Sequence, residues 1–274
     1  MKPVNKQYIR EIKKRYGGYH ATWAPGVPLQ VGDIGDFDKD GAFQRLANLS
    51  DLKIAFEIRT DNTNNQLDYT SQNKVDVITK LSGQIVPNSV LKDIDAGVIV
   101  AFKKGSSVLF KAKNVRYDSI KNIIQVENEV IKLYGKNNWK KEWCIITELA
   151  IAESATIIIS NSSSSKIELK ANVGIGTANI NIADASLDFS IQSAKDLSTT
   201  IIAQEGLTPL FKVRKLKLKG GLFTPPIPDG LKHTVLHELG DKPISHEDSS
   251  ANLITLDNLT EEVCLSEYKP EEIE

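Results

Sequence analysis

The sequence has few cysteines, few aromatic residues and no long apolar run. Its 274 residues include two cysteines, Cys144 and Cys264, and the basic N-terminus has no apolar core typical of a secretory signal. The simplest interpretation is two free thiols in a reducing cytoplasm. No run of eighteen apolar residues exists, so no transmembrane helix is predicted. Aromatic residues are only 7%, which argues against nucleic acid as a partner.

Motifs for catalysis and cofactor binding are also missing. The chain has no GxSxG nucleophile elbow and no Walker loop. Gly174-Ile-Gly176 lacks the third glycine of a dinucleotide fingerprint and does not open a helix. The sequence therefore predicts a protein that is not an enzyme and that uses no cofactor.

One aspartate-rich turn resembles the start of a calcium-binding loop. Asp36, Asp38 and Asp40 are spaced as oxygen ligands at positions 1, 3 and 5, and a glycine follows at position 6. The twelfth position, where a glutamate is needed, is Ala47. A plain hairpin turn is the alternative, and no metal site is predicted here.

Three of the four histidines lie near the C-terminus. His233 and His237 share one face of a helix predicted over 231–239, and His246 follows. Imidazoles at this spacing can bind zinc, which would fit a metal-dependent hydrolase. Exposed helix histidines are the alternative, because no HExxH motif or nearby cysteine completes the ligand set.

Charge is balanced overall but separated along the chain. Residues 1–232 contain 32 bases and 24 acids, a net charge of +8, whereas residues 233–274 contain two bases and eleven acids, a net charge of −9. We therefore divide the chain into a basic β-rich body, 1–219, and a linker with an acidic C-terminal segment, 220–274. The tail is either a solvated, disordered segment or one that folds back and masks a basic surface.

Hydrophobic periodicity predicts a β-rich α+β protein with a mostly antiparallel, twisted sheet, a few helices and a C-terminal tail. Apolar residues spaced four apart predict a helix over 3–16, ended by Gly17-Gly18. A second helix is predicted over 118–135, with Asp118 as its N-cap. Strands are predicted over 29–34, 42–46, 53–59, 74–81, 96–102, 107–112, 143–160, 167–175, 180–191, 199–204 and 210–218, and a polar loop over 61–66.

The region 167–191 alternates apolar and polar residues on two limbs. Alternation of this length fits strands that span a membrane, and it equally fits a sheet with one buried face. The candidate membrane-contacting residues are Ile167, Leu169, Val173, Ile175, Ile180, Ile182, Leu187, Phe189 and Ile191.

A basic strand follows at 211–219. Its cations favour anionic lipid, at about 1 kcal/mol for each one near the bilayer surface. The alternative is a solvated edge strand whose lysines prevent aggregation. The candidate lipid-binding residues are Lys212, Arg214, Lys215, Lys217 and Lys219.

Several segments in chain order resemble bacterial gasdermin-like pore-forming proteins. The resemblance is carried by VPLQVGDI at 27–34, FQRLANLSDL at 43–52, LSG at 81–83, WCIITE at 143–148, IEL at 167–169 and GLTPLFKVR at 206–214. It implies a protein that a short C-terminal segment holds inactive until a caspase-like or trypsin-like protease removes that segment. The remainder would then oligomerise, form a membrane pore through extended β-hairpins and kill the infected cell in antiphage defence. Unlike many members, this chain has no cysteine at residues 1–4 and begins with a basic helix.

These observations favour an autoinhibited pore-forming effector, with an activating protease, anionic lipid and other copies of the chain as partners. Its expected location is the cytoplasm when inactive and the inner membrane when activated. The alternative is a soluble, non-enzymatic binding or scaffold protein whose acidic tail docks a partner. The candidate cleavage residues are Asp229, Lys232, Asp241, Lys242 and Asp248.

Overall fold

Two antiparallel β-sheets make up most of the protein. The computed structural model describes residues 4–23, 28–172, 180–218 and 263–267. Its helices are α1 (Val4–Arg15) and α2 (Ile123–Gly135), and a short 3-10 turn covers Ala185–Leu187. The strands are β1 (His20–Ala21), β2 (Asp33–Phe37), β3 (Phe43–Asn48), β4 (Ile58–Thr70), β5 (Val75–Lys80), β6 (Gly97–Phe102), β7 (Ser107–Ile120), β8 (Cys144–Ser160), β9 (Lys166–Ala171), β10 (Phe189–Lys195), β11 (Thr199–Glu205), β12 (Leu210–Leu218) and β13 (Val263–Glu267).

The β-rich α+β class is confirmed, because every strand pair within the described ranges is antiparallel. The large sheet is built on β8. One edge of β8 pairs with β2 and then β7, and the other edge pairs with β12 and then β11. Strand β4 extends the sheet beyond β7, and β1 and β13 both pair with β12. The smaller sheet has the order β10-β9-β6-β5.

Three groups of buried side chains hold these elements together. The α1 core packs Tyr8 and Ile12 against β7 and β8, including Phe110 and Ile157. The inter-sheet core lies between the other face of β7 and β8, at Leu109 and Ile158, and the smaller sheet. The α2 core packs helix α2 against β2, β12 and the first part of β8.

The first predicted helix is confirmed, and the second is correct only in part. Tyr8 and Ile12 are fully buried on one face of α1, and three basic residues in its last turn suit the negative end of the helix dipole. Helix α2 begins at Ile123, after Asn122 at the N-cap position. The predicted N-cap Asp118 is wrong, because this residue lies in β7 opposite Thr60 and Leu149.

Further predictions along the chain are wrong. Of the strands predicted over 29–34 and 53–59, only 33–34 lie in β2 and only 58–59 lie in β4. The predicted polar loop over 61–66 belongs to β4, an exposed strand whose backbone pairs with β7 through register shifts. Ile180 and Ile182, predicted in a strand, precede the 3-10 turn and lie outside the strands described here. The helix predicted over 231–239 lies outside the described residues.

Candidate functional site: the C-terminal strand on the basic strand

Strand β12 carries alternating apolar and basic residues. Phe211, Val213 and Leu216 are buried in the α2 core. The cations between them are only partly buried up to Lys215, and Lys217 is exposed. The apolar side chains therefore anchor the strand in the core, and the basic side chains between them keep contact with solvent.

Lys212, one of these cations, contacts two side chains of the protein. Lys212 Nζ lies 3.0 Å from Glu148 Oε1 and 4.5 Å from the centre of the Tyr19 ring. The Tyr19 hydroxyl donates to the same carboxylate. Burial and this hydrogen bond raise the pKa of Tyr19, so the phenol stays protonated. Lys212 is thus committed to a local contact, whereas Lys217 is exposed to solvent.

A segment of the acidic tail lies along the basic strand. Strand β13 is antiparallel to β12 over five pairs, from Arg214 opposite Glu267 to Leu218 opposite Val263. On its other side β12 pairs with β8, and its first residues pair with β1. The alternative of a solvated edge strand at 211–219 is therefore wrong over 214–218, because the tail strand pairs with that edge.

Leu265 anchors the tail strand in the core. It is opposite Leu216, is 5% exposed and belongs to the α2 core. That core also contains Val126, Val130 and Ile131 of helix α2. Burial of a leucine side chain contributes about 1.5–3 kcal/mol, so this residue is a main source of the tail's affinity for the body.

Helix α2 also holds the outer edge of the tail strand. The backbone N–H of Leu265 donates to Glu127 Oε1 at 2.9 Å. A hydrogen bond to a charged acceptor contributes about 1.5–3 kcal/mol in proteins. The tail strand is therefore bound on two sides, by the β12 backbone and by a carboxylate of α2.

The sequence left open whether the tail is disordered or masks a basic surface, and it did not predict this strand. The apolar run Val263-Cys264-Leu265 lies between acidic residues and is the feature that marks it. Five residues are too few for periodicity to distinguish strand from coil, and 44 residues separate this strand from the end of its partner strand. The structure brings four of the predicted lipid-binding residues, Lys212, Arg214, Lys215 and Lys217, onto the strand that the tail covers.

The candidate membrane-contacting residues are mostly buried in this conformation. Ile167, Leu169, Ile180 and Ile182 lie in the inter-sheet core, and Leu187 and Phe189 pack against it. Ile191 on β10 is half exposed. The alternation over 167–171 thus serves a buried face here, and whether these residues contact lipid stays a prediction.

Other candidates lie outside the described residues. They are Val173, Ile175, Lys219, the cleavage candidates Asp229, Lys232, Asp241, Lys242 and Asp248, and the histidines His233, His237 and His246.

The aspartate turn forms the hairpin between β2 and β3. Asp38 Oδ1 accepts the backbone N–H groups of Asp40 and Ala42, each at 2.9 Å. The hairpin is confirmed by the antiparallel pairing of the two strands. Within the described ranges no group of three or more His, Cys, Asp or Glu side chains is arranged to hold a metal ion.

Cys144 is a structural thiol. It is buried in the α2 core, and its Sγ lies 3.3 Å from the carbonyl oxygen of Gly35. Burial raises its pKa to about 12, with a smaller contribution from Asp36. A thiol with so high a pKa is a poor nucleophile at neutral pH.

The site is a strand pairing between β12 and β13, reinforced by a hydrogen bond from Leu265 N–H to Glu127. No helix among the described residues is both long and apolar enough to cross a membrane. Comparison with protein-family models gives no match, and comparison with curated proteins gives none either.

Proposed function

We propose that the protein is an autoinhibited pore-forming effector of cell death, activated when a protease cuts between the body and the C-terminal strand. The observation that carries the proposal is the pairing of β13, from the acidic tail, with the basic strand β12. The sequence resemblance to bacterial gasdermin-like proteins supports the same function. The released body would then act on anionic lipid of the inner membrane as an oligomer.

Charge separation gives the tail a second effect besides covering the strand. The body carries +8 and the tail −9, so the intact chain is nearly neutral toward a distant anionic surface. Loss of the tail leaves a strongly basic body whose lysines attract anionic lipid. Proteolysis would thus uncover β12 and restore long-range attraction in one step.

The covalent connection between the body and the tail strand explains why one cut is sufficient to release the tail. A five-residue strand must offset about 1–2 kcal/mol of backbone entropy per residue, which leaves a docking free energy of a few kcal/mol. A free energy near 4 kcal/mol corresponds to a Kd of about 1 mM. While the chain is intact, docking is intramolecular and the strand stays bound. After the cut, at micromolar protein, the same contact dissociates.

A covalent lock tests the proposal directly. Lys217 lies opposite Cys264, and paired Cα atoms of antiparallel strands are about 4.5–5.5 Å apart, within the range of a disulfide. The test protein carries Lys217→Cys and a site-specific protease sequence inserted after Asp229. We expect dye leakage from phosphatidylglycerol vesicles only when the protein is both cut and reduced.

The matched control is Lys217→Cys with Cys264→Ser, which cannot form the lock and should leak after cutting whether or not reductant is present. Buried Cys144 stays unchanged in both proteins. Absence of leakage from cut, reduced protein on anionic and neutral vesicles alike would overturn pore formation. A stable monomer under those conditions would favour the scaffold alternative, with the acidic tail as a partner-docking segment.

A further inference from the structure

Residues 81–96 connect β5 to β6 and form a strap across the outer face of the smaller sheet. Two hydrogen bonds close its ends on each other. The Gly83 N–H donates to the Asp93 carbonyl at 2.7 Å, and Ser82 Oγ donates to the Ile94 carbonyl at 3.0 Å. The strap is thus a closed loop rather than an open connection.

A fully buried lysine fastens the strap from below. Lys80, the last residue of β5, donates from Nζ to the carbonyls of Lys92 at 2.7 Å and Asp95 at 2.6 Å. The Asp95 carboxylate lies 2.8 Å from Lys170 Nζ on β9. An ammonium group is costly to bury without such partners, so these bonds fix one end of the strap.

A buried glutamate fastens the middle of the strap. Glu168 on β9 accepts the Ser89 hydroxyl at 2.6 Å and the Val90 N–H at 2.8 Å. Lys166 pairs with this carboxylate at 2.6 Å and donates to the Asn88 carbonyl at 2.7 Å. Charged side chains of the sheet therefore hold the strap backbone in one place.

This fixed backbone presents large aliphatic side chains to solvent. Ile85 is 76% exposed, Val90 is 58% exposed and Ile94 is 77% exposed. Three exposed aliphatic residues within ten positions are unlike the single apolar residues scattered over an ordinary surface. Because hydrogen bonds and ion pairs already hold the strap, its position does not depend on packing by these three side chains.

The surroundings of these residues are basic. Residues 74–104, 166–171 and 189–195, which contain the strap and the smaller sheet, include eight lysines and four acids, a net charge of +4. Lys80 is buried and three other lysines pair with acids, but Lys92, Lys104 and Lys195 are exposed. Arginine, tryptophan and tyrosine, the residues that dominate protein–protein hot spots, are absent from these ranges. Lysine is depleted in protein interfaces but favoured next to anionic bilayers.

We propose that the strap is a lipid-docking surface, with Ile85, Val90 and Ile94 entering the interface of an anionic bilayer while exposed lysines such as Lys92 on the strap contact headgroups. The surface is separate from the strand that the tail covers. The inference rests on the proposed function only in taking a membrane as the partner. It differs from the cytoplasmic location expected for the inactive form, because it places the first membrane contact before the cut and before any pore forms.

Flotation of the uncut full chain with vesicles tests this docking. The vesicles contain equal parts phosphatidylcholine and phosphatidylglycerol, with pure phosphatidylcholine for comparison. Ile94→Ser should lower the partition coefficient about tenfold, and Ile85→Ser with Ile94→Ser should lower it further. The matched control is Ile124→Ser on α2, which removes an isoleucine that is 73% exposed and far from the strap in sequence.

A second measurement detects the insertion itself. Ile94→Cys in a Cys264→Ser background is labelled with an environment-sensitive fluorophore, and its emission should shift to the blue on anionic vesicles. Equal flotation of wild type and the double variant, or an equal loss in Ile124→Ser, would overturn the proposal. Leakage by cut protein carrying both strap substitutions at the wild-type rate would overturn it while leaving tail release intact. Docking of the uncut chain on vesicles, with no leakage by the cut protein, would overturn pore formation and leave the docking proposal intact.

Discussion

At the scale of single residues, Leu265 links the tail to the core. It is 5% exposed and lies where β12, β13 and α2 meet. Glu127 accepts its N–H, so side chain and backbone of one residue are both held. Because docking as a whole is worth only a few kcal/mol, this residue decides whether the tail stays bound.

Leu265→Ala is therefore expected to undock the tail without unfolding the body. Buried leucine-to-alanine changes cost about 2–5 kcal/mol, as much as the whole docking contact. Amide hydrogen exchange of β12 should accelerate at 214–218, whereas exchange in β9 should not change. The control is Leu46→Ala, at a half-exposed leucine of β3. Unchanged exchange in β12 would show that the backbone pairing holds the tail without Leu265.

At the scale of elements, sequence patterns succeeded where burial follows the local period. Helix α1 was predictable because Tyr8 and Ile12 repeat at helical spacing on one buried face. The boundary between β7 and α2 was not, because residues 118–124 fit either structure and pairing of β7 with β4 and β8 decides it. Strand β13 was missed because its partner is distant in the sequence.

The candidate site was likewise predictable from local sequence only in part. The charge separation gave a tail that covers a basic surface as one of two alternatives, and the strand predicted over 210–218 agrees with β12. The strap was not predicted, because its fastening depends on Lys80 and Glu168 meeting backbone groups of a loop across the sheet. Nothing in the spacing of the sequence indicates that these charges are buried.

The strap attachment should depend on pH through Glu168. Burial alone would raise its pKa, but the bonds from Lys166, Ser89 and Val90 outweigh burial and lower it below the usual 4.5. A lowered folded-state pKa means that this stabilisation is complete above the unfolded pKa and is lost as the pH falls through the folded one. Glu168→Gln should cost about 1–3 kcal/mol at pH 7.

Urea unfolding measures this cost, and the difference between wild type and Glu168→Gln should shrink as the pH falls below the usual glutamate pKa. Glu142→Gln, at an exposed acid in the turn before β8, is the control and should change stability little at either pH. A difference that stays constant into acid would show that the carboxylate charge is not what holds the strap.

At the scale of the whole molecule, the strand pairing and the charge separation make different contributions to inhibition. The pairing depends on short-range hydrogen bonds and on the burial of Leu265 in the α2 core. The charge acts over a Debye length of about 8 Å at physiological salt and needs only the sum of the tail's acids. A free peptide can separate the two, because its sequence can change while its charge and length stay nearly constant.

A synthetic peptide of residues 258–270 should therefore inhibit leakage by the cut protein. At millimolar concentration it restores the occupancy that the tether gave, because that is the order of the Kd expected for the strand alone. A peptide with Leu265→Ser has the same charge and cannot fill the core, so it should inhibit far less. Equal inhibition by both peptides would mean that acidic charge rather than strand docking silences the body, and that the site of inhibition is the basic surface as a whole.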